Sequence, residues 1–110
     1  MAEIKIATQY SRYPGGRYRR LGKFSGEEFR DDHLIPALKS GDKVIVVLDG
    51  TAGYGSSFLE EAFGGLVRNG FSLDELRLNL EPLAEESDFQ TYVEEIWQYI
   101  SEEAERKTAV

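Results

Sequence analysis

Val44-Ile45-Val46-Val47-Leu48-Asp49-Gly50-Thr51-Ala52-Gly53-Tyr54-Gly55-Ser56-Ser57-Phe58-Leu59 is the stretch on which the fold turns. Its first five residues are apolar and mostly β-branched, which predicts a central strand covered on both faces. The glycine-rich segment after it predicts a turn. From Ser56 or Ser57 to about Arg68, two neighbouring i, i+4 rows carry Phe58, Ala62, Leu66 and Leu59, Phe63, Val67. That spacing predicts a helix with one apolar stripe, capped by the adjacent serines. The order places small polar side chains and backbone N–H groups beside the carboxyl end of a strand. Ligands and phosphates gather at such places in open α/β sheets.

Upstream, Glu3-Ile4-Lys5-Ile6-Ala7 alternates polar and apolar and predicts a half-buried strand. Pro14-Gly15-Gly16 is a strong turn signal, and Tyr18 to Phe24 has the makings of a short second strand. Ser25-Gly26-Glu27-Glu28 matches a capping box for a helix whose buried face is Phe29, Leu34, Ile35 and Leu38. Pro36 predicts a kink in that helix, or a break into two short turns. Downstream, Gly64-Gly65 weakens the central helix and suggests a close approach to the sheet or a partner, and Asn69-Gly70 ends it. Glu75 to Leu80 alternates cleanly and predicts another strand, closed by Pro82. From about Ser87 to Lys107 a long helix presents Phe89, Val93, Ile96, Trp97 and Ile100 on one face, and residues 105–110 are expected to fray. Residues 1–110 are therefore expected to form a single small α/β domain, a three- or four-stranded mixed sheet covered by helices.

The chain has 110 residues and no cysteine, which excludes disulfides, thiolate metal sites and cysteine nucleophiles together. No signal-like segment follows Met1 and no apolar run is long enough for a membrane span, so a cytoplasmic protein without a membrane partner is expected. The net charge of −7 makes nucleic acid an unfavourable partner. Its distribution is uneven: residues 1–24 carry six cations against Glu3, and residues 81–107 are strongly acidic. The six include Arg17, Arg19 and Arg20, a basic rim suited to an anion or an acidic partner.

Catalytic chemistry finds no support in the residues. Asp-Gly-Thr after a strand is found in haloacid-dehalogenase phosphatases, but Val47 stands where their nucleophilic aspartate belongs. The glycines lack phosphate-loop spacing and no lysine precedes Ser56. His33 is the one histidine and sits in a charged helix, a packing or surface residue rather than a base. No cluster has metal-ligand spacing, so neither metal nor cofactor is expected. Asp49 and Thr51 fit the role of satisfying turn backbone groups.

The segments Gly22 to Arg30 and Leu48 to Leu66, above all Ser56-Ser57-Phe58-Leu59-Glu60-Glu61-Ala62-Phe63-Gly64, resemble the bacterial STAS-like family of unknown function. That family is named for its likeness to anti-sigma-factor antagonist domains, and the resemblance covers roughly residues 20–105. In the antagonists a hydrophobic strand leads to an Asp-Ser-Ser-Gly turn, and a partner kinase phosphorylates the first serine to release the partner. By that likeness Ser56 is the switch and Ser57 the second choice. Gly55 stands here in place of the aspartate and Phe58 in place of the glycine.

The resemblance implies a non-enzymatic regulatory module that binds a protein, a histidine-kinase-like ATPase. Its docking surface would be the helix and preceding loop, with Tyr54, Phe58, Glu60, Glu61 and Arg68. The alternative is an anion- or nucleotide-binding domain using loop 50–57. It would use Asp49, Thr51, Gly53, Gly55 and the N–H groups of Ser56 and Ser57, aided by Arg17, Arg19 or Arg20.

Overall fold

A computed structural model describes residues 1–108. Three strands, β1 (Ala2–Lys5), β2 (Val44–Val47) and β3 (Leu80–Leu83), form one sheet with β2 in the centre. Both pairings are parallel rather than mixed, with Ile4, Val46 and Pro82 side by side in register. Pro82 lies within the last strand instead of closing it. As an edge strand, β3 tolerates a residue without an N–H.

The helices are α1 (Ile6–Gln9), α2 (residues 26–39), α3 (residues 56–68), α4 (Leu73–Asn79) and α5 (Gln90–Thr108). They bury one face of the sheet. Ile4, Val44, Val46 and Leu80 meet Phe29 and Leu34 of α2, Phe58, Leu59, Phe63 and Leu66 of α3, and Ile96 and Ile100 of α5 in one core. The opposite face, with Ile45 and Val47 between Glu3, Lys5 and Glu81, stays half-buried or exposed. The apolar run of β2 therefore does not mark a strand covered on both sides.

Several expectations shift. The first strand ends at Lys5, and Ile6 already turns into α1 while burying its side chain. Residues 18–24 form no strand; Arg19–Leu21 is a single 3-10 turn in a long loop. Residues 105–108 continue α5 instead of fraying, and residues 109–110 lie outside the described residues.

Helix α2 starts at the expected cap, with Ser25 Oγ accepting from the Glu28 N–H at 3.0 Å, but only this half of the expected capping box forms. It passes Pro36 unbroken. Arg30–Leu34 just upstream is wound as a π-helix, and the wider turn makes room where a proline lacks its amide hydrogen. Helix α3 has a second π segment, Glu60–Gly64.

The region read as a strand over Glu75 to Leu80 is mostly α4. Ser72 and Glu75 form a reciprocal capping box, each bond 3.1 Å. Leu76 and Leu80 point inward at helical spacing, while Leu78 is exposed.

Candidate functional site

The loop between β2 and α3 is held from both ends. The Asp49 carboxylate accepts from the backbone N–H groups of Glu85 and Glu86, both at 2.9 Å, tying the end of β2 to the segment after β3. Thr51 Oγ1 accepts from the Gly53 N–H at 3.1 Å. Gly53 has φ +114°, and a Cβ there would stand 3.0 Å from the Tyr92 hydroxyl, so conformation and space both favour glycine. Tyr54 is buried and donates its hydroxyl to the Leu48 carbonyl at 2.7 Å; burial raises its pKa.

Gly55 is the N-cap of α3, with no side-chain hydrogen bond at the cap. The serines therefore do not cap the helix as expected. They occupy its first two positions, and both are exposed. Helical N–H groups there lack intrahelical partners, and the dipole favours negative charge.

The residues expected to dock a partner divide sharply. Phe58 is fully buried in the core and Tyr54 nearly so, and neither can meet a partner while the domain is folded. Glu60, Glu61 and Arg68 belong to an ion network that joins three helices to the long loop. Arg30 of α2 and Glu61 of α3 are both buried and meet at 2.6 Å. Arg17 reaches Glu60 and Glu61, and Arg68 reaches Glu60, Glu61 and Glu103 of α5. Bonds from Arg68 foremost, then Arg17, lower the Glu60 pKa to about 2 against opposing desolvation.

Gly65 makes room for this network, since a Cβ there would lie 2.5 Å from Arg30 Nη1. A Cβ on Gly64 would meet the Glu60 carboxylate at 2.7 Å and the Tyr99 carbonyl of α5 at 3.6 Å. Gly65 thus serves close approach to an arginine rather than to the sheet, while the tight neighbour of Gly64 is the end of the Glu60 side chain.

The basic rim changes character accordingly. Arg17 is occupied by Glu60 and Glu61, Arg19 pairs with Asp32 at 2.7 Å, and Arg20 lies over the Tyr18 ring. The cations beside the loop are others. An open cleft of about 550 Å³ runs along the carboxyl ends of the strands, lined by Lys5, Thr8, Arg12, Asp49, Gly50 and Glu85 among others. The Arg12 carbonyl accepts from the Ala52 N–H at 2.8 Å, which brings the two loops together. Arg12 and Lys5 had only their place in the basic N-terminal stretch to mark them. Arg30 and Glu103 had no local signal.

His33 packs against the rings of Tyr10 and Phe29, as a packing residue does. Among the described residues no group of three or more His, Asp or Glu side chains could hold a metal ion. No helix among them is long and apolar enough to cross a membrane.

Residues 25–88 match the family model of the STAS-like domain of unknown function (DUF4325). The chain belongs to that family. No curated protein and no solved structure matches it. The STAS-like match begins at the Ser25 cap and includes α2, β2, the loop, α3, α4 and β3. It leaves out β1, Arg17 and Glu103, so part of the ion network lies outside the matched region.

Proposed function

We propose that this STAS-like domain is a non-enzymatic regulatory module that binds a protein partner and is switched by phosphorylation at the start of α3. The observation that carries the reading is the placement of Ser56 and Ser57. Two exposed hydroxyls stand on the first turn of a helix, at the end of a loop braced by Asp49 and Tyr54. A phosphate there adds about −1.5 to −2 charges where free N–H groups and the helix dipole tolerate it. The same charge changes what the surface can meet. Repulsion of an acidic partner, without refolding of the domain, is the expected output.

The partner, by family likeness, is a histidine-kinase-like ATPase. The test is recovery of the tagged chain with its partner, intact mass of the recovered chain, and partner affinity of Ser56→Asp and Ser57→Asp. An added phosphate on either serine, with weaker binding of the matching aspartate variant, is the expected result. Unchanged affinity in both variants overturns the switch.

The alternative, an anion site beside loop 50–57, would rest on Lys5 and Arg12 in a cleft whose walls also carry Glu3, Asp49, Glu85 and Glu86. Calorimetry with a nucleotide panel separates the two. Heat that disappears in Arg12→Ala supports the anion site, and no heat at millimolar ligand removes it.

A further inference from the structure

We propose that the loop over residues 10–25 is a preformed docking surface for an acidic protein segment with apolar anchors. The inference takes from the proposed function only that a protein partner exists, and it moves the contact away from the buried Tyr54 and Phe58.

Charge comes first. From Ile4 to Gly26 there is no acidic residue and there are six cations, in a chain whose net charge is −7. Arg17 and Arg19 are engaged by Glu60, Glu61 and Asp32. Arg12, Arg20 and Lys23 are exposed and, among the described residues, meet no carboxylate at ion-pair distance. Among the described residues, three of the five large apolar side chains left exposed also lie on this loop: Tyr13 at 74%, Leu21 at 68% and Phe24 at 38%. Apolar groups interleaved with free cations suit a partner carrying the opposite charge and its own apolar side chains.

The loop is also fastened. Gly15 donates to the Phe24 carbonyl at 2.7 Å, Gly26 to Gly16 and Glu27 to Arg17, which fold residues 15–17 back against 24–27. A Cβ on Gly15 would lie 2.5 Å from the Lys23 carbonyl, so this close return requires glycine. Phe24 is held at φ +58°, a left-handed conformation rare for a bulky residue and kept only where the surroundings impose it. A long loop without regular strands, yet pinned this firmly, has less ordering entropy to lose on binding. A nucleic acid would bring many phosphates against an acidic molecule, and the exposed aliphatic Leu21 offers it nothing.

The test is selection from a random 16-residue peptide library displayed on phage against the full chain. Selected peptides are then titrated with the wild type, Arg20→Glu/Lys23→Glu and Leu21→Ser, and mapped by hydrogen exchange. Enrichment of Asp and Glu with aliphatic or aromatic residues is expected, together with protection over 12–24. Affinity should fall about 10-fold in the double charge reversal and by a smaller factor in Leu21→Ser. All three positions are exposed, and circular dichroism verifies the fold. No enrichment, a non-acidic consensus, or indifference to the loop variants overturns the proposal. So does preferential binding of a single-stranded RNA pool or of phosphatidylserine vesicles. Peptides that respond to Ser57→Asp but ignore the loop variants overturn this surface and leave the binding-module reading standing.

Discussion

Arg30 and Glu61 form an ion pair shielded from water on nearly all sides, and Arg30 also donates to the Glu61 carbonyl. Removing one partner of such a pair leaves the other charged and buried, which typically costs about 3–5 kcal/mol. Arg17 and Arg68 still face Glu61 when Arg30 is removed, so Arg30→Ala should lower stability in urea unfolding by less than that, about 1–3 kcal/mol. Arg19→Ala, which removes an exposed pair with Asp32, should change it by less than about 1 kcal/mol. Glu60 belongs to the same network, and its pKa of about 2 sets an acid limit. Its unfolded value is about 4.3. The folded carboxylate resists protonation, so its contribution is present above the unfolded value and is lost as pH falls through about 2. Melting temperature should drop across that window, and Glu60→Gln should be less stable at neutral pH with a flatter acid slope. This network was not legible in the sequence, because Arg17, Glu60 and Glu103 lie far apart in the chain and nothing local links them.

Among the elements, legibility followed the number of independent signals. Helix α3 and strand β2 announced themselves through periodicity, a continuous β-branched run and a glycine stop. The α4 segment carried two opposed signals. Period-2 alternation over Glu75 to Leu80 reads as strand, while Ser72 and Glu75 spell the same capping box that marked Ser25. The box and the inward Leu76 decided the outcome, since an isolated alternation has no sheet position to fill here. Pro36 signalled a disturbance in α2, but the π segment of α3 and how the two helices meet had no such local signal. That meeting depends on Gly26. A Cβ at Gly26 would stand 2.4 Å from the Phe58 carbonyl, a backbone atom that cannot swing aside. Gly26→Ala should push α2 off α3 and destabilise by about 1–3 kcal/mol, despite alanine's better helix propensity. Thermal unfolding measures this directly, and an unchanged or higher Tm would contradict the close contact.

At the scale of the molecule, the family match from residue 25 to 88 is smaller than the folding unit. It omits β1, which pairs with β2, and α5, which supplies Ile96 and Ile100 to the core. A fragment of residues 25–88 should not fold alone, and its amide spectrum should lack the dispersion of the full chain. A well-dispersed spectrum would show that the first strand and last helix are accessory. The α/β class and single core were readable from the sequence. The parallel order was not: the strand count turned on Tyr18 to Phe24, which forms no strand, and no residue pattern marked the pairing direction.

The all-parallel sheet also bears on how the chain reaches its native state. Ala2 must find Val44, and Val44 must find Leu80, with whole helices between them. No hairpin is available to nucleate either pairing, so each strand is enrolled only after long stretches of chain have closed into loops. Refolding should therefore be slow for a domain this small. On a ribosome, β2 would emerge with its N-terminal neighbour in reach but its C-terminal neighbour still unmade, which leaves one side of the nascent sheet open until Leu80–Leu83 follow.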